Sequence, residues 1–254
     1  MCRGISFNVK FKAKRLPAFS LLEMAFVIMI MGCLLTVALP FFSNQIIVER
    51  EKKTRGTLEQ LAHSLAVHLL RHGRLPCPSV VTAQDEDFGR EDLSACDKAG
   101  IIPYKTLGMS PALAKDGSAH YITYAANPMF AEKQRKFDDD EAPKDNFSEK
   151  SSSESYCNVK NPVFFKIFDD KKQLINEESS NDAVFILISH GNNGGEIMVS
   201  GERRPLSIKD DFKAENANDD GIFVDAPKTK TFDDTLFWKD RYTFASSYAG
   251  VKCK

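Results

Sequence analysis

The chain has 254 residues, of which 43% are hydrophobic and 27% are charged, and its formal net charge is −1. This length suits one folded domain with a sizeable core and an additional segment. Residues 1–18 hold five basic residues and no acid, so the rest of the chain is mildly acidic. Nucleic-acid binding is therefore excluded as a function class, because the folded part lacks the clustered Lys and Arg that contact phosphates.

A long apolar run follows the basic start. No charged residue occurs between Met24 and Val48. Residues 24–42 are long enough to cross a bilayer as a helix of about 20 residues. The basic leader before the run and the balanced charges at residues 49–53 place the N terminus in the cytoplasm. We therefore predict a single membrane-spanning helix, with the rest of the chain on the outer side.

Glu23 is an acid in a sequence that is already apolar. An ordinary secretory signal keeps acids out of its apolar core and ends with a small-x-small cleavage site. A carboxylate in hydrocarbon costs about 2.5–3.5 kcal/mol at the middle of a helix, and less near its end. The position of Glu23 therefore requires an explanation that an ordinary signal sequence does not provide.

The sequence PAFSLLE at residues 17–23 resembles the prepilin processing motif of type IV pilins and type II secretion pseudopilins. The resemblance implies that a prepilin peptidase cleaves after Ala18 and methylates the new N-terminal amine of Phe19. It also implies that Glu23 pairs with this amine on a neighbouring subunit, which makes a buried carboxylate tolerable. Pro40 lies where these proteins commonly have a helix-kinking proline.

The resemblance predicts a structural subunit, a minor pilin or pseudopilin, and not an enzyme. Its expected partners are the prepilin peptidase, other pilin or pseudopilin subunits and the inner-membrane assembly platform. The expected location is the inner membrane, single-pass, with a periplasmic head. A monomeric envelope protein held by an uncleaved signal anchor is the alternative. The sequence leaves open whether the filament serves as a pilus, in secretion or in DNA uptake.

The predicted organisation has four parts. Residues 1–18 form the cleaved leader, residues 19–48 the transmembrane and assembly helix, residues 49–73 an amphipathic helix, and residues 74–254 the head with a charged insertion at about 131–155. Apolar residues at helical spacing form the stripe of the amphipathic helix. They are Leu58, Leu61, Ala62, Leu65, Ala66, Leu69 and Leu70. Gly73 is expected to end this helix, and His63, His68 and His72 are assigned to a solvated face.

The fold class predicted for the head is α+β, with the long N-terminal helix packed on an antiparallel sheet. Residues rich in β-formers predict the strands. These strands are expected within residues 100–108, 121–126, 163–168, 183–188, 197–199, 221–224 and 242–245. The Gly/Asn-rich residues 189–195 suit a hairpin turn between the two strands that flank them.

Four cysteines lie beyond the apolar run, which suits two disulfides outside the cytoplasm. Three pairings are possible. We predict Cys77 with Cys96, which leaves Cys157 with Cys253, and free buried thiols are the alternative.

Two weaker hypotheses concern polar residues of the head. Ser189-His190-Gly191 resembles the His-Gly corner of caspase-like cysteine peptidases, but the only later cysteine, Cys253, lacks the expected setting. His190 is more simply a turn residue whose ring caps backbone groups. No cofactor is expected, although acidic loops are weak calcium candidates. These candidates are Asp219, Asp220, Asp233 and Asp234, with a further acidic loop at Asp85, Asp87 and Asp92.

Overall fold

The computed structural model describes residues 20–80, 85–131, 156–157, 164–176, 183–193, 198–199, 202–203, 211–218 and 220–250. Within these ranges, the side chains of residues 37–44, 193, 198–199, 202–203 and 211 are outside the description. The chain divides into two compact units, Met1–Ile47 and Val48–Lys254.

Helix α1 extends over 52 residues, Leu21–His72. The side chain of Ser20 accepts a hydrogen bond from the Leu22 N–H at 3.3 Å, which satisfies one of the free donors of the first turn. The helix ends as predicted at Gly73, whose φ is +68° and whose N–H donates to the Leu69 carbonyl at 2.8 Å. Arg71 and His72 place basic side chains in the final turn of α1, where the helix dipole favours positive charge.

A correction concerns the first half of α1. Nowhere in the part of the chain that the structure describes is a helix both long and apolar enough to cross a membrane. The predicted membrane-spanning half of the fold, the description as a transmembrane pilin and the single-pass inner-membrane location are therefore wrong. Helix α1 carries Glu23 in its first turn and is rich in charged residues from Glu49 onwards.

The second unit contains a four-stranded antiparallel sheet in the order β1-β2-β4-β8. Two small two-stranded sheets accompany it, one parallel (β3 with β7) and one antiparallel (β5 with β6). The strands are β1 Ala99–Ile101, β2 Thr123–Ala126, β3 Lys166–Phe168, β4 Ala183–Ser189, β5 Met198–Val199, β6 Glu202–Arg203, β7 Ile222–Val224 and β8 Thr235–Asp240. The short helices are α2 Pro128–Ala131, α3 Asp211–Ala217 and α4 Arg241–Ser247, with 3-10 turns at Pro111–Ala114 and Gly191–Asn193.

Strand β4 is the centre of the core, because all seven of its residues are buried. One face packs in a cluster with the apolar stripe of α1, with Tyr124 of β2 and with Phe244 of α4. The opposite face packs against Phe165 and Phe223, and Trp238 lies against the same cluster. The second unit is therefore α+β, with an antiparallel sheet covered on both faces.

The apolar stripe of α1 is buried as its spacing predicts, with one exception. Leu58, Leu61 and Leu65 are fully buried, whereas Leu70 is 41% exposed. Among the histidines assigned to a solvated face, His63 and His72 are exposed, but His68 is buried. That prediction is wrong for His68, because its position lies on the buried side of the helix next to Leu69.

Two predictions about strands are also wrong. The two strands expected to form a hairpin, β4 and β5, do not pair with each other, because β4 pairs with β2 and β8 while β5 pairs with β6. The strand expected at 242–245 is part of α4. The Asp240 side chain accepts a hydrogen bond from the Thr243 N–H at 2.8 Å, which caps the start of this helix. The preceding residues, Thr235–Asp240, form the strand instead.

The predicted disulfide between Cys77 and Cys96 is confirmed. Cys157 is also disulfide-bonded, but its expected partner Cys253 lies outside the described residues. Most of the predicted insertion at 131–155 is outside them as well. Cys33 in α1 is exposed and has a free thiol.

A buried polar group lies at the end of α1, beside the disulfide. Arg74 donates two hydrogen bonds to Glu91, at 2.7 and 2.9 Å, and the Cys77 N–H donates to the same carboxylate at 3.1 Å. Burial alone raises the pKa of Glu91, but the hydrogen bonds from Arg74 and Cys77 outweigh it and lower the pKa. His68 is 6% exposed, and its Nε2 has no hydrogen-bond partner among the described residues.

His68 should make the folded state sensitive to mild acid. Burial, reinforced by the charge of His72, lowers the pKa of His68 from 6.5 to about 4. Between pH 6.5 and 4 the unfolded chain therefore binds a proton that the folded chain does not. The free energy of unfolding should fall by about 2–3 kcal/mol across this window, measured by urea unfolding at several pH values.

His68→Gln is the matched variant for this measurement, because it keeps a polar side chain and removes the titration. We expect the decrease between pH 6.5 and 4 to be largely absent in this variant. The contribution of Glu91 is separate, because its lowered pKa means that its stabilisation is lost only below about pH 4.5. An equal decrease in both proteins above pH 4.5 would show that His68 is not the titrating group.

Candidate functional site

Buried polar residues meet where β4 ends. We call Asp116, Thr123, Ser189, His190 and Asp234 the polar cluster. All five are at most 4% exposed. They come from the turn before β2, from β2, from the end of β4 and from the segment before β8. Because buried polar groups are costly unless they are paired, their contacts determine what this region does.

His190 joins two elements through its ring. Its Nε2 lies 2.9 Å from Thr123 Oγ1, and its Nδ1 lies 3.4 Å from Asp234 Oδ2. Asn216 of α3 donates to the same Asp234 oxygen at 3.1 Å. The prediction that His190 caps backbone groups is wrong, since its ring contacts side chains. The backbone cap is provided by His120, whose Nδ1 lies 2.9 Å from the Gly191 carbonyl oxygen.

His190 is 1% exposed, so a substrate cannot reach its ring in this structure. The nucleophile required by the peptidase hypothesis, Cys253, lies outside the described residues. The geometry of His190 suits a structural contact between strands, and the expectation that the chain is not an enzyme stays a prediction.

Asp116 organises the turn that precedes β2. Its Oδ2 accepts a hydrogen bond from Ser189 Oγ at 2.6 Å. Its Oδ1 accepts from the N–H groups of Ser118 and His120, at 2.8 and 3.0 Å. One carboxylate therefore satisfies three donors and fixes the turn to the end of β4.

The same turn forms a hydrogen bond with α1. The Gly117 N–H donates to Thr54 Oγ1 at 2.9 Å, and this hydroxyl donates to the Arg50 carbonyl at 2.9 Å. A Cβ on Gly117 would overlap the Arg50 carbonyl oxygen, so the turn approaches the helix backbone as closely as a glycine allows. Arg50 also donates to the Asn192 side chain at 3.3 Å. The polar cluster thus connects the end of β4 with the part of α1 around residues 50–54.

The weak calcium candidates are not brought together. Asp233 binds Lys213 and the Asn192 N–H, and Asp234 belongs to the polar cluster. Asp220 accepts from Asn218 and from the Ile222 N–H, and Asp219 lies outside the described residues. Over the described ranges, no group of three or more His, Cys, Asp or Glu side chains could hold a metal ion.

The predicted assembly residues lie in the first unit. Glu23 is in the first turn of α1, and its neighbours Leu22 and Met24 are 65% and 48% exposed. Pro40 lies within α1, but the structure does not describe its side chain. Ala18 and Phe19 lie outside the described residues. The described side chains of this unit are exposed, and they are apolar apart from Ser20, Glu23, Thr36 and Gln45.

Sequence reasoning missed Thr54, Asp116, Lys213 and Asn216. An Asp-Gly-Ser turn is the one local signal that could have identified Asp116, because Asp side chains commonly accept from the N–H two residues later. No family model, curated protein or solved structure matches the chain.

Proposed function

We propose that the chain is a prepilin-like structural subunit that assembles through the first half of α1. In this proposal a prepilin peptidase removes residues 1–18. The exposed half of α1 then packs against the equivalent helices of other subunits. No membrane-spanning segment forms part of the proposal.

The observation that carries the proposal is the exposure of apolar side chains in α1. Every large apolar side chain between residues 21 and 35 is 45–91% exposed. Surfaces of this kind are rare on monomeric soluble proteins and mark sites of association. A helix that is apolar around its whole circumference is normally enclosed by other elements. Equivalent helices of other subunits can enclose it, because each contributes the same apolar surface.

Glu23 supports helices of the same chain as the occupants. A carboxylate enclosed by apolar side chains is costly unless a cation meets it. Cleavage after Ala18 would create an amine at Phe19, four residues before Glu23 in the sequence. The amine of a neighbouring subunit would compensate for the charge of this carboxylate where the helices pack together.

The polar cluster supports the same function from the second unit. It holds residues 50–54 of α1 to the sheet through Gly117 and Arg50. A subunit that assembles through one end of a helix must keep the other end fixed to its folded part. The hydrogen bonds of Gly117 and Arg50 meet this requirement.

The test combines processing and assembly. The full chain is co-expressed with a prepilin peptidase, and its N terminus is determined by intact mass and peptide sequencing. We expect loss of residues 1–18, an N-methylated Phe19, and particles much larger than one chain in sedimentation and electron microscopy. Ala18→Leu should abolish the cleavage.

A matched pair of leucine variants distinguishes assembly through α1 from nonspecific hydrophobic association. Leu34 in α1 is 65% exposed, and Leu93 in the disulfide-closed loop is 59% exposed. Leu34→Glu should leave the protein monomeric, whereas Leu93→Glu should leave assembly unchanged. The proposal fails if the leader is retained in the presence of the peptidase. It also fails if the two variants assemble equally well.

A further inference from the structure

A buried lysine pairs with the residue that precedes Asp234 of the polar cluster. Lys213 of α3 is 2% exposed, which is unusual for a residue whose ammonium group is strongly hydrated in water. Within the described residues its one polar partner is Asp233, whose side chain is 27% exposed. The Nζ of Lys213 contacts the Oδ1 of Asp233.

Two aromatic residues adjoin this pair in the sequence. The rings of Phe212 and Phe232, which precede Lys213 and Asp233 in the sequence, pack edge to face with centroids 6.1 Å apart. Phe232 is 2% exposed. A buried ion pair in such surroundings loses much of its hydration, and a single contact compensates only part of that cost.

The other oxygen of Asp233 is held by the backbone. The Asn192 N–H donates to Asp233 Oδ2 at 2.9 Å. This approach depends on Gly191, whose φ is +61° and where a Cβ would overlap Asp233 Oδ2. A backbone donor that is fixed beside a carbonyl-type oxygen is the arrangement that stabilises negative charge on that oxygen during acyl transfer.

We propose that Lys213 and Asp233 form an intramolecular isopeptide bond. Transfer of a proton from Nζ to Oδ1 converts the ion pair into an amine and a carboxylic acid. The Nζ lone pair attacks Cγ, and the charge that develops on Oδ2 is stabilised by the Asn192 N–H. The Cγ–Oδ1 bond then breaks, and Oδ1 leaves as water with a second proton from Nζ. One amide and one water result, with no oxidant or co-reactant.

Proximity supplies the driving force for this step. Two groups that the fold holds together react as if each were present at a concentration far above that of a free solute. The water that is released is not held in this way, so the reverse reaction lacks this advantage. The bond would link α3 to the segment before β8, which already contacts α3 through Asn216 and Asp234. It is independent of the assembly proposed above, because it lies entirely within the second unit.

The test is the mass of the full-length chain after complete reduction and denaturation. We expect a deficit of one water relative to the sequence, and a branched peptide joining Lys213 to Asp233 after digestion. Lys213→Arg keeps the positive charge but cannot form the amide, so its deficit should be absent.

A full mass for the wild-type protein would overturn the proposal. A deficit that persists in Lys213→Arg would also overturn it, because it would come from dehydration elsewhere, such as a cyclic imide at an aspartate. Both results are independent of whether the leader is removed or the chain assembles.

Discussion

Gly117→Ala should destabilise the second unit by about 2–3 kcal/mol, the range in which overpacking a close contact falls. The added Cβ would overlap the Arg50 carbonyl oxygen, which is part of the α1 backbone and cannot rotate away. The turn would have to move, and its hydrogen bond to Thr54 would be lost. The measurement is the free energy of unfolding from urea titration of the full chain.

Gly56→Ala is the matched control for this prediction. Gly56 lies within α1, and no atom lies within 4 Å of an added Cβ. Alanine lowers the conformational entropy of the unfolded chain there, so this variant should be more stable by about 0.5–1 kcal/mol. If both variants changed stability in the same direction, the close approach of the turn to α1 would not be the cause.

Asp116→Ala should destabilise the protein by about 3 kcal/mol. The substitution leaves Ser189 Oγ and the N–H groups of Ser118 and His120 without their acceptor, and each unsatisfied buried donor costs about 1–3 kcal/mol. Hydrogen exchange at the His120 amide should accelerate in parallel. Urea unfolding and exchange measured on the same sample check both effects.

Asp116→Asn separates hydrogen bonding from charge. The asparagine oxygen can still accept from the two N–H groups, and the Ser189 hydroxyl can rotate to accept from the amide. We expect a loss of about 1 kcal/mol or less for this variant. If Asp116→Asn were as destabilising as Asp116→Ala, the negative charge rather than the set of hydrogen bonds would be the main contribution.

Features governed by neighbouring residues could be predicted from the sequence. The stripe that begins at Leu58 and the stop at Gly73 follow from helical spacing and from a residue free to adopt positive φ. Cys77 and Cys96, whose pairing was predicted among three possibilities, are 19 residues apart in the sequence. The antiparallel sheet of an α+β fold followed from short runs of β-formers.

Features governed by tertiary contacts could not be predicted. Residues 242–245 are rich in β-formers, but the cap from Asp240 and the burial of Phe244 favour a helix. His68 shares an i, i+4 spacing with the exposed His72, but it lies on the buried side of α1 and is 6% exposed. The membrane span was predicted from apolar composition, and none of the described helices is long and apolar enough to form one.

The same distinction between local and tertiary features applies to the candidate site. Glu23 stood out as an acid in an apolar sequence, and His190 through the Ser-His-Gly motif. Asp233 and Asp234 stood out as neighbouring acids. Lys213 and Thr54 were missed because their importance comes from partners 20 and 63 residues away in the sequence. No local pattern carries that information.

Trp238 offers a built-in optical probe of one unit alone. The chain has a single tryptophan, on β8, packed against the cluster that contains Phe165 and Phe223. Its emission should shift when the sheet of the second unit unfolds. Because the first half of α1 contains no tryptophan, association through that helix should leave the emission maximum unchanged. A fluorescence titration can therefore follow the folding of residues 48–254 without a contribution from assembly. A light-scattering signal recorded on the same sample would report assembly alone.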